Sequence, residues 1–114
     1  MNVAVKTKWV NVCALNDVPV RGARVLYIGI HSVAIFRTGS DHIFALIDSC
    51  PHEQGSLSMG IVHGASVTCP LHGMVIDLAT GEPTGADAGK GCTPCVGVRV
   101  DSERIWLDLT TLPA

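Results

Sequence analysis

Apolar and polar positions alternate along this chain in short runs. Residues 9–15 set large apolar side chains against smaller or polar ones, the period-two signature of a strand. Residues 24–28 and 33–37 are β-branched runs joined at residues 29–32, where His31 is expected to face solvent. Further strands are predicted at 42–48, 66–68 and 74–78, and a closing hairpin at 96–100 and 105–109 turns through Asp101, Ser102 and Glu103. Cys13 falls on an inward position as a small hydrophobe. Asn16 to Pro19, Gly22, and Thr38 to Asp41 carry the residue types of turns. Residues 56–64 show no helical period and read as a connection. Residues 79–91, with five glycines and prolines among them, read as a long loop, either a surface connection or a third loop folded over a site. No amphipathic helix of useful length is present, so the pattern predicts an all-β fold.

Composition narrows the class. With 114 residues, a single domain over 1–114 with a modest core is expected, and 47% hydrophobic residues suit a globular protein. A net charge of −2 with no basic block argues against a nucleic-acid partner. Arg24, His31, Ser32 and Arg37 interrupt the most apolar stretch, so no membrane span is expected. Lys6 and Lys8 are not followed by an apolar segment, which argues against a secretory signal. The 5 cysteines are odd in number and suggest no disulfide framework; a cytoplasmic setting follows.

The chemistry concentrates in two short stretches. Cys50-Pro51-His52 is answered, after a 16-residue spacer, by Cys69-Pro70-Leu71-His72-Gly73. Each offers one thiol and one imidazole. A [2Fe–2S] cluster in which two histidines replace two cysteines on one iron requires this ligand set. Pro51 and Pro70 stiffen the loops, Gly55 and Gly73 permit turns and close approach, and Leu57, Leu71 and Met74 are candidates to cover the cluster. Zinc also takes two Cys and two His, but structural zinc usually pairs like with like rather than one of each per loop. His63 has no partner at ligand spacing. Cys92-Thr93-Pro94-Cys95 looks like a redox or metal pair, yet no βαβ pattern surrounds it and no second pair of ligands remains to complete a zinc site.

These two motifs resemble the Rieske iron–sulfur family. The resemblance implies a Rieske fold of antiparallel sheets with a small inserted cluster-binding subdomain near 46–78. It also implies a [2Fe–2S] cofactor held by Cys50, His52, Cys69 and His72, electron transfer, and no catalytic residue in this chain. Respiratory members carry an extra cysteine in each ligand loop; Glu53-Gln54-Gly55 and Gly73-Met74 have none. Among the remaining branches the chain resembles the small subunit of NAD(P)H-dependent assimilatory nitrite reductase from Trp9-Val10-Asn11 to Trp106-Leu107. The matching stretches include Gly60-Ile61-Val62-His63-Gly64, Val67-Thr68-Cys69-Pro70 and Gly91-Cys92-Thr93. That likeness implies a large flavin- and sirohaem-binding partner and a place in nitrite reduction to ammonium. Met74 and Cys95 depart from the pattern, Met74 standing where an aromatic residue is common. Two other readings stay open: the Rieske ferredoxin of a multicomponent aromatic-ring dioxygenase, and a structural or regulatory subunit without redox work.

Overall fold

In the computed structural model, which describes residues 8–51, 55–71 and 73–113, nine strands form two antiparallel sheets. The strands are β1 (Trp9–Ala14), β2 (Gly22–Ile28), β3 (His31–Arg37), β4 (Ile43–Ile47), β5 (Ile61–His63), β6 (Ser66–Thr68), β7 (Val75–Asp77), β8 (Cys95–Asp101) and β9 (Arg104–Asp108). Six of them run in the order β1-β9-β8-β4-β3-β2, and β5-β6-β7 make a separate small sheet. The regular elements among the described residues are these strands and four short 3-10 turns, an all-β antiparallel architecture. No helix among them is long and apolar enough to cross a membrane.

Period-two alternation in β3 and β4 explains how the sheets stack. Side chains of consecutive strand residues point to opposite faces. On β3, Val33 and Ile35 enter one core while Ala34 and Phe36 enter another. On β4, Ala45 joins the first and Leu46 the second, in register with Ile35 and Ala34 respectively. The first core is completed by Cys13, Val18, Val96, Ile105 and Leu107, so the β1-β9-β8 end of the sheet curls over one face of β3 and β4. The second is completed by Leu57, Val62, Val67, Met74, Ile76 and Leu78, so the small sheet covers the opposite face. Strands buried on both faces read as continuous apolar runs, as Val33 to Phe36 do.

Several boundaries differ from the sequence expectation. The β2–β3 turn is only Gly29-Ile30, with Gly29 at φ +60, so His31 pairs with Ile28 and sits half-buried at the start of β3 rather than in a solvent loop. Residues 56–64 contain a 3-10 turn, Leu57–Met59, and strand β5, neither of which has a sequence period long enough to show. Residues 79–91 are also more ordered than a plain loop. Pro83 bridges to Ile76, and Gly85–Asp87 forms a 3-10 turn. Cys13 is buried, as its inward position predicts.

Candidate metal centre

Cys50 follows β4 and Cys69 follows β6, so each proposed ligand loop springs from a strand that packs in the second core. A strand is a rigid mount for a ligand. Both loops close on themselves in the same way. Cys50 N donates to the Gly55 carbonyl at 2.7 Å, and Cys69 N donates to the Met74 carbonyl at 2.8 Å. Gly73 N returns to the Cys69 carbonyl at 3.1 Å, and Gly73 has φ +70, a conformation other residues adopt only at a cost.

The loops face each other. Cys50 Sγ lies 4.0 Å from Met74 Sδ, across from one loop to the end of the other. The backbone of Gly55 passes so near the second loop that a Cβ there would meet Leu71 Cδ1 at 2.6 Å and Cys69 Sγ at 3.8 Å. Cys50 and Cys69 are each 1% exposed and share the core with Phe36, Leu46 and Leu57. Leu57 and Met74 are buried beside them, and Leu71 is 54% exposed.

His52 and His72 lie outside the described residues, as do Lys6 and the rest of residues 1–7. Among the described residues no three His, Cys, Asp or Glu side chains converge on a metal position, two of the four expected ligands being outside them. The donors that are described fit an iron–sulfur cluster. Two thiols, soft ligands, converge from facing loops in an apolar, water-poor setting.

The other sulfur and imidazole groups stand apart. His63 is exposed, and its Nε2 lies 2.6 Å from Thr68 Oγ1, beside Cys69 but bonded to a hydroxyl. Burial pushes the Cys13 thiol pKa up. Cys92 and Cys95 are both exposed free thiols. Cys95 Sγ lies 3.8 Å from the Ala79 carbonyl; partial burial, then the neighbouring Cys92 and Asp77, raise its pKa. Residues 79–91 do fold back toward the first ligand loop. A Cβ on Gly91 would touch Pro51 Cβ at 3.4 Å, and Thr93 Oγ1 donates to the Ser49 carbonyl at 2.9 Å. Asp48, Ser58 and Thr93, whose side chains bond across this region, carry no sequence signal of that role.

The Rieske [2Fe–2S] domain profile matches residues 8–97, most of the chain. The chain belongs to the Rieske [2Fe–2S] family. Its cofactor is a Rieske cluster, and its work is electron transfer in association with an oxidoreductase. This Rieske protein is 37% identical over 91 residues to ferredoxin CarAc of Metapseudomonas resinovorans, covering 79% of this chain and 80% of that one. It is 35% identical over 83 residues to the anthranilate 1,2-dioxygenase ferredoxin subunit of Burkholderia cepacia, covering 73% and 76%. A solved structure provisionally described as an NADH-dependent nitrite reductase small subunit from Mycobacterium tuberculosis superposes with TM-score 0.79 at 21% identity, covering 90% and 96%. At that identity the superposition shows a shared fold.

Proposed function

We propose that this Rieske protein is the ferredoxin of a multicomponent oxygenase, carrying single electrons to the component that performs the chemistry. The observation behind this is the 37% and 35% identity to two ferredoxins, one of them a dioxygenase subunit, across about three-quarters or more of each length. The chain acts as one domain over 1–114, with a cluster-bearing part near 46–78, in the cytoplasm. Cys50 and Cys69 hold one iron, and His52 and His72 hold the other. The cluster, once bound, exchanges one electron and has no open coordination position, so substrate binds elsewhere. The chain's own residues supply the setting. Phe36, Leu46, Leu57 and Met74 keep water from the thiolate side, which favours the state of lower charge. Leu71 gives an exposed apolar edge beside Cys69 for contact with a redox partner.

A second reading keeps the small subunit of NAD(P)H-dependent nitrite reductase, with a large flavin- and sirohaem-binding partner. The stretches from Trp9 to Leu107 that resemble that family favour it, and the superposition at TM-score 0.79 is compatible with it through the fold alone. Two experiments test these readings. Anaerobically prepared protein should contain two irons and two labile sulfides per chain with two inequivalent sites in Mössbauer spectra; stoichiometric zinc without sulfide refutes the ligand assignment. The cluster-loaded protein is then supplied separately to a ring-hydroxylating oxygenase with its reductase and to a nitrite reductase large subunit. NADH-driven oxygenation that saturates with this chain supports the first reading. Stimulation of nitrite reduction alone overturns it in favour of the second.

A further inference from the structure

The two ligand loops are closed at their bases by different means. The second loop lies between β6 and β7, which pair with each other, Thr68 opposite Val75. A strand pair thus fixes both ends of that loop. The first loop shares the backbone bond, from Cys50 N to the Gly55 carbonyl, but has no strand pair at its base. It leaves β4 of the six-stranded sheet and arrives, through the turn Leu57–Met59, at β5 of the small sheet. Its two ends belong to different sheets, so ladder hydrogen bonds do not hold them together.

Side chains do this instead. Asp48, the residue after β4, accepts from Ser58 N on Oδ1 at 2.7 Å and from Ser58 Oγ on Oδ2 at 2.7 Å. One carboxylate thereby joins positions on either side of the loop, ten residues apart. Asp48 is itself anchored, its N donating to the Ser32 carbonyl at 2.8 Å. The next residue is held from a third direction. The Ser49 carbonyl accepts from Thr93 Oγ1 at 2.9 Å. Thr93 is 2% exposed, and its N donates to the Gly81 carbonyl at 2.7 Å. Cys50 follows directly.

We propose that Asp48, Ser58 and Thr93 are positioning residues that close the neck of the first ligand loop and fix Cys50 for the cluster. This rests on the assignment of Cys50 as a ligand. Bonds to a carboxylate are shorter and stronger than neutral ones, and a buried carbonyl left without its donor keeps its desolvation cost. None of the three side chains belongs to either apolar core. Their loss should therefore loosen the loop more than it destabilises the sheets. A looser neck lets Cys50 Sγ drift from its place beside Met74 Sδ, and a cluster held less firmly leaves sooner and in more than one geometry.

The test uses the full chain with its cluster, kept anaerobic. Release to a strong iron chelator is followed by visible absorbance, alongside EPR of the dithionite-reduced protein and thermal melts. Ser58→Ala should release iron about tenfold faster, and Thr93→Val, which keeps shape and loses the hydroxyl, about fivefold faster. Both should broaden the EPR lines. Ser58→Thr and Thr93→Ser, which restore a hydroxyl, should return release to near the parental rate. Ser40→Ala, in the β3–β4 turn where Ser40 Oγ lies 3.2 Å from Thr38 Oγ1, should behave as the parent. Parental release and unchanged EPR in both Ser58→Ala and Thr93→Val overturn the inference; so does a fall in melting temperature with release and EPR unaltered. Acceleration in one variant alone overturns the joint clasp. Cys50→Ser separates the levels. Absence of a cluster in it leaves the ligand assignment standing while the clasp is judged, and a parental cluster in it sinks both.

Discussion

Gly81 is where the loop of residues 79–91 meets the neck, through its carbonyl's bond from Thr93 N, and a side chain there carries two costs. Gly81 is buried, has φ +76, donates its N to the Asp77 carbonyl at 2.7 Å and accepts from Thr93 N at 2.7 Å. Gly81→Ala adds two separable costs. The left-handed backbone costs a residue with a Cβ roughly 1 kcal/mol. The new methyl also runs into the Thr93 carbonyl oxygen, with Thr93 C at 3.0 Å and Cys95 Sγ at 3.3 Å. Backbone cannot swing aside as a flexible side chain can, so relief means lengthening or breaking the Thr93 to Gly81 bond. Overpacking of this kind costs about 1–3 kcal/mol. Gly89 isolates the first cost, since it has φ +85 and nothing within 4 Å of a Cβ. Gly89→Ala should therefore lose about 1 kcal/mol and Gly81→Ala about 3 kcal/mol. At roughly 4 °C per kcal/mol for a domain of this size, melting should fall by about 4 and 12 °C respectively, read by circular dichroism. Equal losses in the two variants would refute the reasoning, because only the steric contact distinguishes them.

Neighbours on β3 should separate the two cores: Phe36→Ala and Ile35→Ala should each cost about 3 kcal/mol in denaturant unfolding, but only Phe36→Ala, which opens the core holding Cys50 and Cys69, should hasten cluster release. The β8–β9 turn uses Ser102 and Glu103 at φ 52 and 61; Glu103→Gly should raise stability by about 1 kcal/mol, since glycine adopts that conformation freely. Thr110 Oγ1, then Lys8 N, hold the Asp108 carboxyl below its ordinary pKa. A depressed folded value means the stabilisation is present above the unfolded pKa, about 3.9, and is lost as pH falls through the folded one; Asp108→Asn should flatten the acid limb of the unfolding curve in that window.

What the sequence discloses follows from how local each signal is. Alternation over five to seven residues revealed β1, β3, β4 and β9 nearly in place. β5 was invisible because three residues flanked by Gly60 and Gly64 carry no period, and its Ile61 and His63 face outward. The sequence pattern extends the β2–β3 turn two residues too far because His31 and Ser32 look like turn residues while Ile30, 92% exposed, does not. Strand register, a non-local property, decides the matter. At the site, two Cys–Pro steps and a fixed spacer announced the loops. That the loops face each other, and that Leu71 lies against Gly55, depends on packing between segments. The neck was hidden for the same reason. Asp48 to Ser58 spans ten positions and Thr93 to Ser49 spans 44, and neither pair forms a pattern that a one-dimensional reading detects.

The two cores also assign different tasks to the same strands. One face of β3 and β4 meets the curled end of the large sheet, where Cys13 is the sole cysteine and burial keeps it protonated. That core needs no metal to be complete. The other face meets the small sheet, and there Cys50 and Cys69 are themselves core residues. Thiols are small and weakly polar, so Cys50 and Cys69 suit the apolar setting of that core. Backbone bonds from Cys50 N to the Gly55 carbonyl and from Cys69 N to the Met74 carbonyl brace both ligand loops, and a rigid mount keeps the reorganisation cost of an electron carrier low.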